Sequence, residues 1–400
     1  MKRIMLTLLL TIAGSTGWAQ TPAATAGPGS PRPEDGPAGL TYGNYRYDPS
    51  GNIVAIGNNY YVYDTLGRVK TAGVQYDGFV QTRTYTYDVY GNRLTDGSNS
   101  FPANAQNRYT GATYDTAGNT TSWQPPGASG TRSYDYDALD HITRETADLP
   151  GTTNDRWLVH IYTADDERLW TYHDDGLSYW TIRDLAGNVQ REYRTDAVTW
   201  TVHRDYVYRS RQLLAARTPG GTHHYSLDHL GTPRVVTDDA AVVIGEHSYW
   251  PFGTELTGGS QRREGFLRFT GHERDKDVAD ATDDGLDYMH ARYYTSHVGR
   301  FLSSDRAVGN AKDPQSWNRY SYGANSPSKF VDPNGLSYVV FVRAAHSLSL
   351  YSGSGVFVGR WLAGNTVDSG AKGNFPKTGL QSGVYDFLCS INVTCSMQSC

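Results

Sequence analysis

The chain has 400 residues, a formal net charge of −5 and a pI near 6.2. This balance lacks the basic footprint of a nucleic-acid-binding protein, so we expect no nucleic-acid partner. The 30 Tyr and 43 Gly residues favour strands joined by many tight turns, which predicts an all-β fold.

The N-terminus has the pattern of a signal peptide. Lys2 and Arg3 are followed by a short apolar run over 4–13, and Gly17-Trp18-Ala19 fits a small-x-small cleavage site. The run is too short to span a bilayer, and we expect no transmembrane segment. We therefore predict a signal peptide over 1–19, cut near Ala19, and a secreted, periplasmic or cell-surface chain. The Pro/Gly-rich residues 20–40 predict a flexible linker.

Residues 41–267 carry a degenerate repeat that begins with Tyr-Asp. Its clearest copies are YDPSGNI (47–53), YDTLGRV (63–69), YDVYGNRL (87–94), YDTAGNTT (114–121) and YDALDHI (136–142). Such a period is typical of a repeat architecture. Each copy predicts a β-hairpin: the Tyr strand ends at Asp, whose side chain caps the turn, and Gly supplies the positive φ. The Tyr rings suit a pleated surface, with hydroxyls that can stay in water.

The blocks that follow resemble a known family. HYSLDHLGTPRVVTDD (224–239) and SYWPFGTEL (248–256) precede RFTGHERD (268–275), GLDYMHARYYTSHVGRFLSSD (285–305), NRYSYGANSP (318–327) and VDPNGL (331–336). In order and spacing they resemble the core that closes bacterial RHS/YD-repeat proteins. The resemblance implies that 41–267 form a curved or spiralling sheet, a partial shell closed by a core at 268–336. In the family, such shells enclose the polypeptide downstream. A β-solenoid or surface adhesin without cargo is the alternative.

The resemblance also implies a self-cleavage site. Family cores cut themselves after a DPxG-L segment, using two aspartates and an upstream arginine. These roles fall on Asp305, Asp332 and Arg292, with the cut between Leu336 and Ser337. The residue types suit the chemistry, because one ionised and one protonated carboxyl group can act as general base and general acid. We expect no cofactor and no metal.

Three points leave alternatives open. The usual Asp-Pro-x-Gly at the first aspartate is replaced by DRAVG (305–309), and Asp313-Pro314 competes for the role. Both acidic positions also suit turns in a purely structural plug. An arginine such as Arg292 is, by itself, more typical of an ion pair on a sheet surface.

Residues 337–400 form a compositionally different tail, with strands predicted over 338–343, 347–351 and 356–362. The tail resembles the start of L,D-transpeptidase-like toxin domains, but it lacks their S-x-G-C motif and has only His346. This favours a truncated or inactivated effector. Two of Cys389, Cys395 and Cys400 could pair in an exported chain.

Three functions are therefore in competition. The first is an exported scaffold that presents or encloses its own tail as cargo and releases it in toxin delivery, with a secretion apparatus or immunity protein as further partners. The second is a non-catalytic surface protein that binds cell-wall glycan. In the third, the tail itself acts on peptidoglycan.

Overall fold

The computed structural model describes residues 44–125, 130–148, 156–196, 198–209, 212–256, 267–276, 284–306, 314–342, 347–352 and 357–362. Over these residues the chain is all-β, as predicted, and its strands form four antiparallel sheets. The predicted signal peptide and the linker lie outside the described residues.

Two long sheets make up residues 44–256, which we call the wall. In each sheet every strand pairs with its neighbour in sequence, as a series of hairpins must. The first sheet comprises β1 (Tyr45–Tyr47), β2 (Ile53–Ile56), β3 (Asn59–Tyr63), β4 (Val69–Tyr76), β5 (Phe79–Tyr87), β6 (Arg93–Asp96) and β7 (Asn99–Ser100). The second sheet comprises β8 (Ala112–Tyr114), β9 (Thr120–Trp123), β10 (Thr131–Tyr136), β11 (Ile142–Asp148), β12 (Arg156–Tyr162), β13 (Arg168–His173), β14 (Ser178–Arg183), β15 (Val189–Thr195), β16 (Trp200–Arg209), β17 (Gln212–Thr218), β18 (Gly221–Leu227), β19 (Pro233–Thr237) and β20 (Val243–Glu246).

Residues 268–336, the closing segment, contain a short sheet and three 3₁₀ turns. The strands are β21 (Glu273–Lys276), β22 (Asp284–Met289), β23 (Arg292–Thr295) and β24 (Arg300–Phe301), and the turns are Phe269–Gly271, Pro314–Trp317 and Gly323–Asn325. The tail adds β25 (Ser337–Val342), β26 (Ser347–Ser352) and β27 (Phe357–Leu362), each within one residue of its predicted bounds. In the part of the chain that the structure describes, no helix is long and apolar enough to cross a membrane.

The Tyr-Asp repeat forms the predicted hairpin turn. Asp48 accepts the Asn52 backbone N–H at 2.8 Å and the Asn52 side-chain amide at 2.8 Å, and Gly51 takes a φ of 77°. The same bond, from the aspartate to the backbone N–H four residues on, recurs at Asp64, Asp88, Asp115, Asp137, Asp184, Asp228 and Asp238. Asp140 takes the left-handed place of the glycine in its copy, at a φ of 66°. Asp tolerates this conformation better than most residues.

The repeat tyrosines differ from the expectation that their hydroxyls stay in water. The hydroxyls of Tyr63, Tyr87, Tyr136 and Tyr162, and that of Tyr109 at another place in its copy, donate to a backbone carbonyl of an earlier hairpin instead, over 2.6 to 3.0 Å. The pairs are Tyr63–Ile53, Tyr87–Val69, Tyr109–Arg93, Tyr136–Thr120 and Tyr162–Ile142. A buried carbonyl needs a donor, and the tyrosine of the next copy supplies it. In these copies the hydroxyl therefore ties the repeat to an earlier one, whereas the Tyr114 hydroxyl accepts the Tyr109 backbone N–H at 3.0 Å.

The closing segment packs against both sheets of the wall. Tyr63 on the first sheet bonds Ser328 at 2.6 Å, and Tyr162 on the second bonds Tyr293 at 2.9 Å. The first strand also reaches the second sheet, because the Tyr45 hydroxyl lies 3.1 Å from His229 Nδ1. Aromatic side chains of the closing segment are almost fully buried in this space: Tyr288, Tyr293, Tyr294, Phe301 and Tyr322.

Trp250 and Phe252 of the SYWPFGTEL block are packing residues. Both are at most 4% exposed and belong to the apolar cluster of the first sheet. The chain therefore crosses back from the end of the second sheet to the first before the closing segment begins.

Candidate self-cleavage site

Arg292 begins β23 directly after a tight turn in which His290 has a φ of 56°. Its guanidinium carbon lies 3.7 Å from the centre of the Phe301 ring, and its side chain is 3% exposed. Burial lowers the pKa of Arg292, while the neighbouring Asp305 and Asp332 oppose that shift. A cation on a ring face, screened from water, is held by that ring as well as by its anions.

Both predicted aspartates lie against one nitrogen of this arginine. Arg292 Nη2 is 3.2 Å from Asp305 Oδ2 and 3.6 Å from Asp332 Oδ2, and both carboxylates are about as buried as the arginine. The backbone of Asp305 is fixed by Arg319, whose carbonyl accepts the Asp305 N–H at 2.8 Å and whose Nε donates to the Asp305 carbonyl. The structure thus brings together the three residues that the sequence assigned to the cut.

Residues 332–336, which we call the cleavage loop, are held along their backbone. His272 Nε2 lies 3.3 Å from the Pro333 carbonyl, the Ala291 N–H donates to the Asn334 carbonyl at 3.2 Å, and Arg292 Nε donates to the Gly335 carbonyl. Three consecutive carbonyls therefore have donors from the closing segment. The next carbonyl is that of Leu336, at the predicted cut.

Gly335 is required where it stands. It has a φ of 74°, and a Cβ at this position would lie 2.4 Å from the Met289 carbonyl oxygen. No side chain fits at that distance, so the glycine of the DPNG turn lets the loop lie directly on the β22–β23 hairpin.

A cleft of about 240 Å³ opens beside the loop. Leu336 and Asn334 line it together with Arg292, and Leu336 is 38% exposed. The wall contributes Glu167, which accepts a hydrogen bond from His290 Nδ1 at 2.9 Å. Solvent therefore reaches the Leu336 end of the loop, whereas the three charged side chains are buried next to it.

The structure decides one of the alternatives left open by the sequence, that for Arg292, and does not describe Asp313, on which another depends. Arg292 is not on a sheet surface; it is buried because it lies beneath the cleavage loop, which corrects that alternative. Asp313 lies outside the described residues, as do Cys389, Cys395 and Cys400. In the ranges that the structure describes, no three His, Cys, Asp or Glu side chains group to hold a metal ion.

Three residues at the site have no role that the sequence predicts, although each lies within a block of the resemblance: His272, Phe301 and Arg319. His272 is 7% exposed and contacts a residue 61 positions away. Its presence in the GHERD block was the one available sign, and a block alone does not say what a histidine touches.

No family model matches the chain. A tRNA3(Ser)-specific nuclease WapA of Bacillus spizizenii is 28% identical over 277 residues, covering 63% of this chain and 11% of the nuclease. A double-stranded DNA deaminase toxin A of Burkholderia cenocepacia is 27% identical over 359 residues, covering 80% of this chain and 24% of the toxin. The chain thus spans only a small part of these relatives.

A solved structure has the same fold. The crystal structure of TcdB2-TccC3-Cdc42 superimposes with a TM-score of 0.55 at 21% identity, covering 73% of this chain and 17% of that one. The chain thus resembles the WapA nuclease and the deaminase toxin in sequence, over part of their length, and this solved structure in fold. The matches support the RHS/YD-repeat resemblance and leave the L,D-transpeptidase-like tail without support.

Proposed function

We propose that this chain is part of an exported RHS-type toxin scaffold that presents its C-terminal tail and releases it by cutting itself after Leu336. The observation that carries the proposal is the burial of Asp305 and Asp332 against one nitrogen of Arg292, whose Nε also donates to the Gly335 carbonyl of the cleavage loop. An ordinary surface ion pair joins one exposed cation to one exposed anion and does not bury two carboxylates against a single nitrogen. The toxin names of the relatives favour the same class of function.

The reaction would be hydrolysis of the Leu336–Ser337 peptide bond. The ionised carboxylate takes a proton from water, and the resulting hydroxide attacks the Leu336 carbonyl carbon. The protonated carboxyl group donates its proton to the carbonyl oxygen, which gives a gem-diol. The C–N bond then breaks as the first carboxyl group passes the proton it took from water to the Ser337 nitrogen, and the second carboxyl group regains its proton from a gem-diol hydroxyl. Arg292 holds both carboxyl groups and the Gly335 carbonyl, so it orients the acid, the base and the substrate together.

The described residues favour presentation of the tail over its enclosure. Side chains of the closing segment, such as Leu286 and Tyr288, join one apolar cluster with Tyr134 and Ile142 of the wall. The space between the sheets is therefore occupied by the closing segment. We infer that this region acts as the closed end of a scaffold, from which the tail leaves at Leu336.

The test is a time course on the full chain. We expect it to convert into a longer fragment and residues 337–400, whereas Asp305→Asn and Asp332→Asn slow the conversion on the order of 100-fold or more. Asp175→Asn is the matched control, because Asp175 is exposed in a wall turn. Equal conversion in all four chains, or no conversion in any, would reject self-cleavage.

One observation favours the second candidate, a glycan-binding surface. On the wall face opposite the closing segment, Trp157, Tyr172, Trp170, Trp180 and Trp200 follow one another across β12 to β16 with ring centres 5.4 to 6.0 Å apart. Trp200 is 60% exposed. The other four side chains are half-buried, so together they form a contiguous apolar row that reaches solvent at Trp200. Large exposed apolar patches can mark an interaction site.

This candidate is tested by glycan-array binding of the full chain. Loss of binding in Trp180→Ala and Trp200→Ala, with retention in Trp317→Ala, would support it. Trp317 is 48% exposed and lies in the closing segment, so it controls for loss of any exposed indole. Unchanged binding in all three variants would dismiss the aromatic face as the site.

The target of the tail is a separate question. The resemblance of residues 337–400 to L,D-transpeptidase-like domains makes peptidoglycan one candidate. The relatives are named for action on tRNA and on DNA, which makes nucleic acid another candidate target. The pI of the whole chain does not count against this candidate, because it does not report the charge of the tail alone. Incubation of the released tail with muropeptide and with tRNA separates the two.

A further inference from the structure

His272 makes two polar contacts inside the closing segment. Its Nε2 is 3.3 Å from the Pro333 carbonyl oxygen, and its Nδ1 is 2.8 Å from the Thr270 hydroxyl. Thr270 is itself placed by the wall, because its backbone N–H donates to the Thr232 hydroxyl at 3.0 Å. The imidazole thus bridges the wall-bound turn before β21 and the cleavage loop.

The contacts define the tautomer of this imidazole. Burial, with a smaller contribution from His290, lowers the pKa of His272 to about 4, so the ring is neutral near pH 7. A neutral imidazole carries one N–H. Because a carbonyl can only accept, Nε2 is the donor to Pro333, and Nδ1 then accepts from the Thr270 hydroxyl. That hydroxyl is also 2.8 Å from the Phe269 carbonyl, but this carbonyl already accepts the His272 backbone N–H at 3.2 Å.

The hydrogen bond from His272 to Pro333 matters because of where Pro333 lies in the cleavage loop. The next two carbonyls along the chain are held by the Ala291 N–H and by Arg292 Nε. His272 therefore supplies the first of three successive anchors, and it does so from the opposite end of the loop to Arg292. The Asp332 N–H donates to the Tyr322 hydroxyl at 3.3 Å, so the loss of His272 would leave the loop held at Asp332 and from Asn334 onward, and would release the Pro333 carbonyl between them.

We propose that His272 is a positioning residue for self-cleavage: it fixes the backbone at Pro333 so that the Leu336–Ser337 bond is held in one place above the aspartate pair. The inference rests on the proposed function of this site and adds a residue to it. His272 contacts the backbone at Pro333, three residues before Leu336, and takes no part in the proton transfers.

A second histidine supports the first from the wall side. The His290 ring meets the His272 ring edge-on, with centres 6.1 Å apart, and His290 bonds Glu167 of the wall. Gly187, in another wall turn, lies so close that a Cβ there would be 2.8 Å from His290. His272 is therefore packed as well as hydrogen-bonded, and its ring has little room to turn.

The experiment compares His272→Leu with His272→Gln in the full chain. Gln keeps an N–H donor at the place of Nε2, whereas Leu keeps only bulk. We expect His272→Leu to slow the cut by roughly 10-fold or more and to add fragments that do not begin at Ser337, because small displacements of a reacting group are costly. His272→Gln should restore both the rate and the single cut.

A second readout does not depend on cleavage. In an Asp305→Asn background, hydrogen exchange of a peptide spanning the cleavage loop should rise roughly 10-fold with His272→Leu and stay near the parent with His272→Gln, while β16 exchanges alike in all chains. If no chain cuts but exchange follows this order, the proposed function fails and the anchoring of the loop stands. Unchanged exchange in His272→Leu, or a single cut at the parental rate, overturns the inference.

Discussion

The contribution of the repeat tyrosine hydroxyl to stability can be tested by a Tyr→Phe substitution, which removes only that oxygen atom. In Tyr87→Phe the ring and its contact with the Arg68 guanidinium, 4.6 Å from the ring centre, remain, while the 2.6 Å bond to the Val69 carbonyl is lost. A net hydrogen bond contributes about 1 kcal/mol. Val69 is fully buried, so its carbonyl loses a donor away from water and the cost should reach about 1.5 kcal/mol.

The matched control lies three residues away. Tyr90 is in the turn of the same repeat and is 45% exposed, so Tyr90→Phe should leave the free energy of unfolding unchanged. Urea unfolding followed by tryptophan fluorescence measures both variants. The five tyrosines together should contribute on the order of 5 kcal/mol, because their bonds lie in different repeats. Equal stability of Tyr87→Phe and Tyr90→Phe would refute the role of the hydroxyl.

Three further predictions concern buried charge and backbone fit. Arg168→Met leaves the carboxylates of Asp275 and Glu273 buried without this cation, so the free energy of unfolding in urea should fall by about 3 to 5 kcal/mol. Arg191→Met removes an exposed ion pair and should change the free energy of unfolding little. Similar losses for both variants would contradict the expectation. Burial raises the pKa of Glu192 from 4.5 to about 7, so the folded state binds this proton more tightly than the unfolded state, and stability should fall by about 3 kcal/mol as pH rises through that window. Glu192→Gln should flatten this slope between about pH 4.5 and about pH 7, and an unaltered slope would assign it to other groups. Gly335→Ala should lower the free energy of unfolding by more than the roughly 1 to 2 kcal/mol of a positive φ, because the added Cβ overlaps the β22–β23 hairpin. Gly78 has a φ of 77° with open space around it, so Gly78→Ala should lose only the backbone contribution. Equal losses in urea unfolding would count against the overlap.

The hairpins could be predicted because their chemistry is local. The aspartate of each copy bonds an N–H only four residues on, so the Asp-x-x-Gly spacing contains the whole turn. The tyrosine hydroxyl was misjudged because its partner lies in another hairpin, for example at Val69 for Tyr87. That distance varies with the length of each hairpin, and no fixed spacing in the sequence records it.

The site was predicted through the resemblance and not through the residue pattern. Arg292 and Asp332 are 40 positions apart, and an arginine in a strand is ordinarily exposed. Only the fold shows that Arg292 lies under the loop with both carboxylates on one nitrogen. His272 was missed for the same reason, because its contact with Pro333 depends on how the closing segment folds back on itself.

The central claim is that the buried aspartate pair cuts the chain it belongs to. Intact mass spectrometry of the purified full chain, after incubation at neutral pH, tests this most directly. The account predicts a fragment with the mass of residues 337–400, beginning at Ser337, and its absence from the Asp332→Asn chain. A chain that keeps its full mass, or one that yields the same fragment with Asp332 replaced, would contradict it.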